Sequence, residues 1–518
     1  MPISPARLAG FQILLRVEQQ NAYASELLHS GRLDALSPAD RGLCMELVMG
    51  CLRWQATLDR LLAGASSQSL NKLDKEVLVA LRLGAYQLRF LSRIPPNAAV
   101  NESVELAKRA RKKSAAPFVN AILRKLAREG AAPSAEACSS GVPGGVEEPH
   151  SPGAVAGAFS PGSPAGAAVA PVGVEQALAA AWSHPEWLVA RWIEQYGGEA
   201  AARVCEFDQQ TPITALRLPT SPELAEPLER ELQAEACTPA SLKPGLPGTP
   251  RVELAPGNLL RSARVVRAGD VTHTRAYREA RIAIQDEASQ LVAALVGPSP
   301  AERKSGRGVA PPPPAAGLRL RILDCCAAPG GKTAAIAEAN PQATVLAVEL
   351  HPRRAELLRQ RLQGSSGAGR IEVLTADATR LPHGREFDRV LADVPCSGTG
   401  TLARHPEIKW KLRPAELPGL HQRQAAILSA ALGHLAPGGV LVYSTCSLEA
   451  EENASVVEEV LRQNSSAKLL DCAARLRELQ EAGELNWPDV ESLCHGPYMR
   501  TLPGVHPCDG FFAAMITL

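Results

Sequence analysis

The chain has 518 residues, 45% of them hydrophobic, and at roughly 150 residues per domain this length excludes a single small module. The 41 glycines and 42 prolines exceed average usage, so part of the chain is expected to be linker. The 55 Lys and Arg nearly cancel the 54 Asp and Glu, which excludes a whole-chain field of the kind that marks many nucleic-acid binders and leaves local bias to be read. No apolar run approaches the roughly 18 residues of a membrane span. The first 17 residues lack a small-residue cleavage site. The 12 cysteines are scattered and never in C-x-x-C spacing, unlike a disulfide framework or a zinc site. The expectation is a metal-free, cytoplasmic protein with no membrane segment.

Residues 1–130 read as helix throughout, with apolar positions at helical period such as Phe118, Ile122 and Leu126. Ser37-Pro38-Ala39-Asp40 supplies an N-cap, a proline for the first turn and an early carboxylate, so a helix is expected to start there. This region holds 19 Lys and Arg against 11 Asp and Glu, a net +8 concentrated in Lys108, Arg109, Arg111, Lys112 and Lys113 and again in Arg124, Lys125 and Arg128. Such a run is a solvated helix face or an RNA-phosphate surface. From 131 to 177 the sequence is Ala, Gly, Pro and Ser without period, the composition of a disordered linker. A smaller α/β unit is expected over 178–275, with a helix beginning at Ser183-His184-Pro185 and a strand over 214–218. A soft stretch with four prolines from Pro311 reads as a loop insertion.

Over 276–518 short apolar runs alternate with helices, the pattern of a parallel sheet with covering helices. The strand-like runs 318–323, 344–348, 371–374, 390–392 and 440–443 are followed by Asp324, Glu349, Asp377, Asp393 and Cys446. Any one of these acids could be a helix cap. Four acids and a thiol in register point instead to one site at the carboxyl ends of the strands, where open α/β sheets bind ligands.

The stretch DCCAAPGGKT, from Asp324 to Thr333, places small residues where backbone approaches a ligand. It is not a P-loop, because Cys326 stands where that motif needs glycine, and it lacks G-x-G-x-x-G. Glu349, 25 residues after Asp324, stands where an acid accepts hydrogen bonds from a ribose diol. A nucleoside cofactor without pyrophosphate is favoured, and S-adenosylmethionine fits: ribose on Glu349, adenine near Asp377, methionine against Gly330-Gly331. Cys396 follows the fourth strand and Cys446 the fifth. Thiols beside a methyl donor suggest covalent catalysis on a pyrimidine, since C5 of cytosine is a poor nucleophile until a thiolate adds to C6. Asp393 would protonate N3. The residues alone do not choose between the two thiols.

The motifs DCCAAPGGKT, VLAVELHPRR, TADATRL, DVPCSGTGTLARHPEIKW, LVYSTCSLEAEEN and DGFFAA resemble, in order and spacing, those of the RNA cytosine-C5 methyltransferases. IQDEAS from Ile284 and the 183–218 segment resemble the small RNA-binding subdomain that precedes the catalytic domain there. PPNAAVNESVELAKRA and FVNAILRKLAR are similar to the NusB-type antitermination-factor domain. The combination resembles the Sun/Fmu branch of bacterial methyltransferases acting on small-subunit 16S ribosomal RNA. The resemblance implies an all-α NusB-like domain, a small α/β subdomain and a Rossmann-like methyltransferase sheet, working as a monomer. It also implies Cys446 as nucleophile, Cys396 as the thiol assisting release, and Cys326, Ala327, Ala328, Pro329, Gly330, Gly331 and Lys332 lining S-adenosylmethionine, with Glu349 on the ribose, Asp377 on adenine and Asp393 beside cofactor and base. Arg217-Leu218-Pro219 departs from the Arg-Val-Asn expected at the end of the small-domain strand. The rival readings are a non-catalytic NusB-like RNA-binding factor, action on another RNA, and transfer to an exocyclic amine.

Overall fold

The computed structural model describes residues 3–129, 173–235, 251–297 and 320–518, apart from positions 21, 29, 30, 32, 34, 366, 382, 383 and 385. The expected linker up to 172 and the proline-rich insert from 298 lie outside the described residues. The chain divides into two compact units, Met1–Ile193 and Glu194–Leu518.

The first unit is helical, with seven helices from Pro5–Gln20 to Ala116–Arg128 among the described residues up to 129. The helix Pro38–Arg53 starts where the sequence indicates, with the Ser37 hydroxyl accepting from Asp40 N at 3.1 Å. In Ala116–Arg128 the buried side chains Val119, Ile122, Leu123 and Leu126 form one helical stripe against a core that includes Leu47, Leu81 and Leu106. Each such side chain contributes about 1.5–3 kcal/mol on burial. The opposite face carries Arg124, Lys125 and Arg128, all exposed.

The second half of this unit corrects two expectations. A helix runs over Val174–Trp182, starting inside the stretch expected to be linker up to 177 and crossing into the expected small α/β unit, and residues up to Ile193 belong with the N-terminal helices and not with that unit. The reason is a cap supplied from far along the chain. The helix Gln55–Ala65 follows Trp54, whose side chain has no oxygen with which to cap it, and the Ser183 hydroxyl accepts from Ala56 N at 3.0 Å and Thr57 N at 3.3 Å instead. Ser183 sits at φ 53° between Val174–Trp182 and Glu186–Tyr196.

The second unit holds two sheets. Strands β1 (Ala215–Arg217), β2 (Glu253–Pro256), β3 (Ala263–Ala268) and β4 (Ala283–Ile284) form an antiparallel sheet in the order β2-β3-β1-β4, packed on Leu228 and Leu232 of the helix Pro222–Ala234. Because β4 pairs with β1, this sheet extends past the boundary expected at 275. The larger sheet contains β5 (Arg321–Asp324), β6 (Thr344–Glu349), β7 (Ile371–Thr375), β8 (Phe387–Asp393) and β9 (Leu435–Thr445), parallel and in the order β7-β6-β5-β8-β9. Val390, Leu391 and Ala392 of β8 and Leu441, Val442 and Tyr443 of β9 are fully buried in consecutive positions, which requires cover on both faces.

Four further strands are absent from the sequence-based expectation: β10 (Lys468–Leu470), β11 (Cys494–His495), β12 (Tyr498–Thr501) and β13 (Phe511–Thr517). β13 lies antiparallel beside β9, so the motif DGFFAA leads into a core strand. The strand order turns back between β5 and β8, which opens a crevice at their carboxyl ends. The architecture is the anticipated one: an all-α N-terminal domain, a small α/β sheet and a Rossmann-like sheet. No helix among the described residues is long and apolar enough to cross a membrane.

Candidate active site

At the end of β5 the chain passes through Asp324–Gly330 into the helix Gly331–Ala339. Gly330 has φ 108°, which disfavours any other residue, and a Cβ there would stand 2.8 Å from Leu358 Cδ1. Asp324 is 1% exposed and accepts from Thr333 Oγ1 at 2.7 Å. Burial, with the neighbouring Asp393 charge adding to it, pushes its carboxyl up to about 6. Its Oδ1 and the Oε1 of Gln285 are both buried without a donor among the described residues, and both side chains line a cavity of about 470 Å³. Cys326 to Lys332 form one wall of that cavity, with Asp393. Ala283 to Gln285, Arg278 and Arg361 form part of the other.

Glu349 ends β6, 4% exposed, and accepts from His351 N at 2.9 Å, with Arg354 at 3.6 Å. It belongs to the same cluster as Asp324 and Asp393, because all three act on the Cys326 thiol, which burial chiefly holds above its ordinary value. Asp377 is two residues beyond Thr375, the register partner of Glu349 across β6 and β7. Its carboxylate accepts from Thr379 N and Oγ1, and these bonds hold it below the usual range. Neither Glu349, Asp377, Cys396 nor Cys446 lines the cavity.

Asp393 ends β8. Its Oδ2 accepts from Lys332 Nζ at 2.7 Å and its Oδ1 from Ser444 Oγ at 2.7 Å. Both Asp393 oxygens thus have a partner, and Lys332 Nζ also lies 4.9 Å from the Phe511 ring centre. The Cys396 and Cys446 sulfurs are 3.2 Å apart. The contact with Cys446, together with burial, raises the Cys396 thiol well above its ordinary value. Register explains the meeting: Asp393 pairs with Ser444 across β8 and β9, and each thiol lies two or three residues beyond.

Sequence reasoning misses several functional neighbours. It places Lys332 in the cofactor lining and not as the partner of Asp393. Ser444, Ser447 and Glu452 lie in the motif LVYSTCSLEAEEN without an assigned role; acids soon after a thiol are the available signal. IQDEAS proves to be a junction. Asp286 and Asp509 both take Arg404, at 3.0 and 2.7 Å, and Glu287 accepts from the backbone of Asn258, Leu259 and Leu260. Arg217 pairs with Glu338 at 2.7 Å.

The sequence profile of the 16S rRNA methyltransferase RsmB/F family matches residues 318–517, and that of the NusB family matches residues 4–128. The probable ribosomal RNA small subunit methyltransferase B of Bacillus subtilis (strain 168) is 30% identical over 99% of this chain and 98% of its own. The ribosomal RNA small subunit methyltransferase B of Pseudomonas syringae pv. tomato is 30% identical over 98% of this chain and 96% of its own. The crystal structure of PH0851 shares the fold, with a TM-score of 0.70 over the whole of both chains at 19% identity. With similarity of this extent and the thiol, acid and glycine-turn motifs in their places, the chain belongs to the 16S rRNA methyltransferase RsmB/F family.

Proposed function

We propose that this protein methylates C5 of a cytosine in 16S ribosomal RNA, using S-adenosylmethionine and a covalent adduct to Cys446. The observation that carries the reading is the pair of sulfurs 3.2 Å apart beside the Lys332–Asp393 ion pair, at the carboxyl ends of β8 and β9. The residues fit the cofactor. Glu349 offers a carboxylate for a ribose diol, the Gly330-Gly331 turn leaves room for close approach, and the unpartnered acceptors Asp324 Oδ1 and Gln285 Oε1 suit a ligand bearing N–H donors. Asp377 is assigned to the adenine and Cys326 to Lys332 to the remainder.

The Cys446 thiol gives up its proton to water and the thiolate adds to C6 of the base, forming the S–C6 bond and moving electron density to C5 and N3. Asp393, held by Lys332 and fixed by Ser444, passes a proton drawn from the Lys332 ammonium to N3 to relieve this charge, and the proton returns along the same path when the base is released. Bound S-adenosylmethionine supplies an electrophilic methyl group for the activated carbon. When the C5 proton is lost to water, the S–C6 bond breaks and its electron pair returns to Cys446. The Cys396 thiol, held protonated, donates a hydrogen bond to that departing sulfur. The target base leaves its stack to reach the thiol. The N-terminal helical domain supplies further RNA affinity, and the protein works as a cytoplasmic monomer on free or partly assembled small-subunit RNA.

The test is the product. The chain is incubated with S-adenosylmethionine and 16S ribosomal RNA and the RNA is digested to nucleosides. 5-Methylcytidine is expected. A methylated adenosine or an N4-methylated cytidine in its place overturns the assignment of C5.

A further inference from the structure

Glu452 is fully buried and its carboxylate collects donors from both thiol-bearing loops. Oε1 accepts from Ser397 N at 2.8 Å and from Gln424 Nε2 at 2.8 Å. Oε2 accepts from the hydroxyls of Ser397 and Ser447, which lie 2.9 Å from each other. Ser397 follows Cys396 and Ser447 follows Cys446 in the chain. The carboxylate is itself held in place: the Tyr443 hydroxyl donates to Glu452 O at 2.6 Å, and Gln424 Nε2 also reaches Pro395 O at 3.0 Å.

We propose that Glu452 is a positioning residue that keeps the Cys396 and Cys446 sulfurs together by tying down the residue after each. The two loops leave different strands, and no disulfide or metal joins them among the described residues. Beside the sulfur contact and the Gly400 N to Cys446 O bond at 2.9 Å, a set of links between the loops converges on this carboxylate and the serine and threonine hydroxyls around it. Hydrogen bonds to a carboxylate are the stronger kind, and a buried network loses more than one bond when its centre is changed. An amide at this position keeps the shape. It offers one accepting oxygen where the two serine hydroxyls, the Ser397 N–H and Gln424 now share two.

The consequence for catalysis rests on the covalent reading above, but the proposal about sulfur placement does not, and the experiment separates them. Glu452→Gln and the parent are treated with hydrogen peroxide. The peroxide takes one thiol to a sulfenic acid with release of water, and the second thiol displaces another water to give the disulfide. The rate of the Cys396–Cys446 disulfide, mapped by peptide mass spectrometry, reports how often the sulfurs meet without RNA or cofactor. In parallel, covalent RNA adduct formation is timed in a Cys396→Ala background with and without Glu452→Gln. Both rates are expected to fall at least tenfold, with cofactor affinity within threefold of the parent. A disulfide rate that is unchanged in Glu452→Gln overturns the proposal, whatever the adduct does. An adduct that never forms in Cys396→Ala with Glu452 intact overturns the covalent reading and leaves the positioning role to the disulfide rate. Should Glu452→Gln fail to fold, Ser447→Ala removes one tie only. Its disulfide rate is expected to fall about threefold, and an unchanged rate overturns the proposal equally.

Discussion

Lys332 and Asp393 form an ion pair of 2.7 Å that joins the first turn of the helix after β5 to the end of β8, across the point where the strand order reverses. The two side chains are 13% and 25% exposed, so water screens the pair only in part. Lys332→Met keeps the stem over Phe511 and removes the donor. The methyl-transfer rate is expected to fall on the order of 100-fold, the range of general-acid contributions. Folding stability should fall by only about 1–2 kcal/mol, a charged hydrogen bond discounted for exposure. Single-turnover rates and denaturant unfolding of one preparation check both; an unaffected rate would make the pair structural alone.

Glu349→Gln preserves size and removes the charge from the acceptor assigned to the ribose. Cofactor affinity is expected to drop by about 1.5–3 kcal/mol, the worth of a charge-assisted hydrogen bond, with the RNA dissociation constant little altered. Calorimetry on the two proteins reads this directly, and equal affinity would move the ribose to another residue.

The parallel strands are legible because complete burial leaves an uninterrupted apolar run, and their terminal acids are legible because each follows such a run. Long-range partnership leaves no such trace. Nothing around Ser183 shows that its hydroxyl caps a helix 127 positions earlier, and nothing in Phe511–Thr517 shows that it pairs with β9 before β9 is placed. Glu452 is hidden for the opposite reason: it stands among Glu449 and Glu451 in an acid-rich stretch, where a solvated face is the ordinary reading, yet it is fully buried. Glu349 and Asp393 are found from strand ends, whereas the pairing of Lys332 with Asp393 requires the fold.

Asp324 makes folding stability depend on pH. Its folded value, pushed up to about 6, exceeds the roughly 3.9 of an unfolded chain, so the folded form favours the proton. The contribution to stability is present below about pH 4 and is lost as pH rises through about 6. A shift of this size corresponds to roughly 3 kcal/mol. Asp324→Asn carries no such titration, so its stability relative to the parent should improve by up to that amount between pH 4 and 7. Urea unfolding of both proteins at several pH values measures the difference, and a constant difference would refute the buried-acid account.

The cations of the N-terminal region are not equally available to RNA. Lys108 pairs with Glu105 at 2.7 Å and Lys112 with Asp74 at 2.9 Å, whereas Arg109, Arg111 and Lys113 are exposed and have no ion pair among the described residues. Replacing these three by alanine should weaken RNA binding and lower the slope of log affinity against log salt by about 2, at roughly 0.7 for each phosphate no longer neutralised. Cofactor affinity should stay as it was. A salt slope equal to the parent's would place the RNA surface elsewhere.

The two thiols are near-equals in space, and their removal should nevertheless have opposite results. Cys446→Ala has no sulfur to add to C6, so it should give neither methyl transfer nor an adduct. Cys396→Ala still attacks and accepts the methyl group, but the sulfur departing from C6 has lost the thiol that stood 3.2 Å away to stabilise it. Release then slows more than attack, and a denaturation-resistant protein–RNA adduct should accumulate. Gel mobility after incubation with 16S ribosomal RNA and S-adenosylmethionine distinguishes the cases. An adduct in Cys446→Ala and none in Cys396→Ala would exchange the roles and assign attack to the residue after β8. Methylation persisting in Cys446→Ala without any adduct would remove covalent catalysis, and the short sulfur contact would then belong to packing at the ends of β8 and β9 alone.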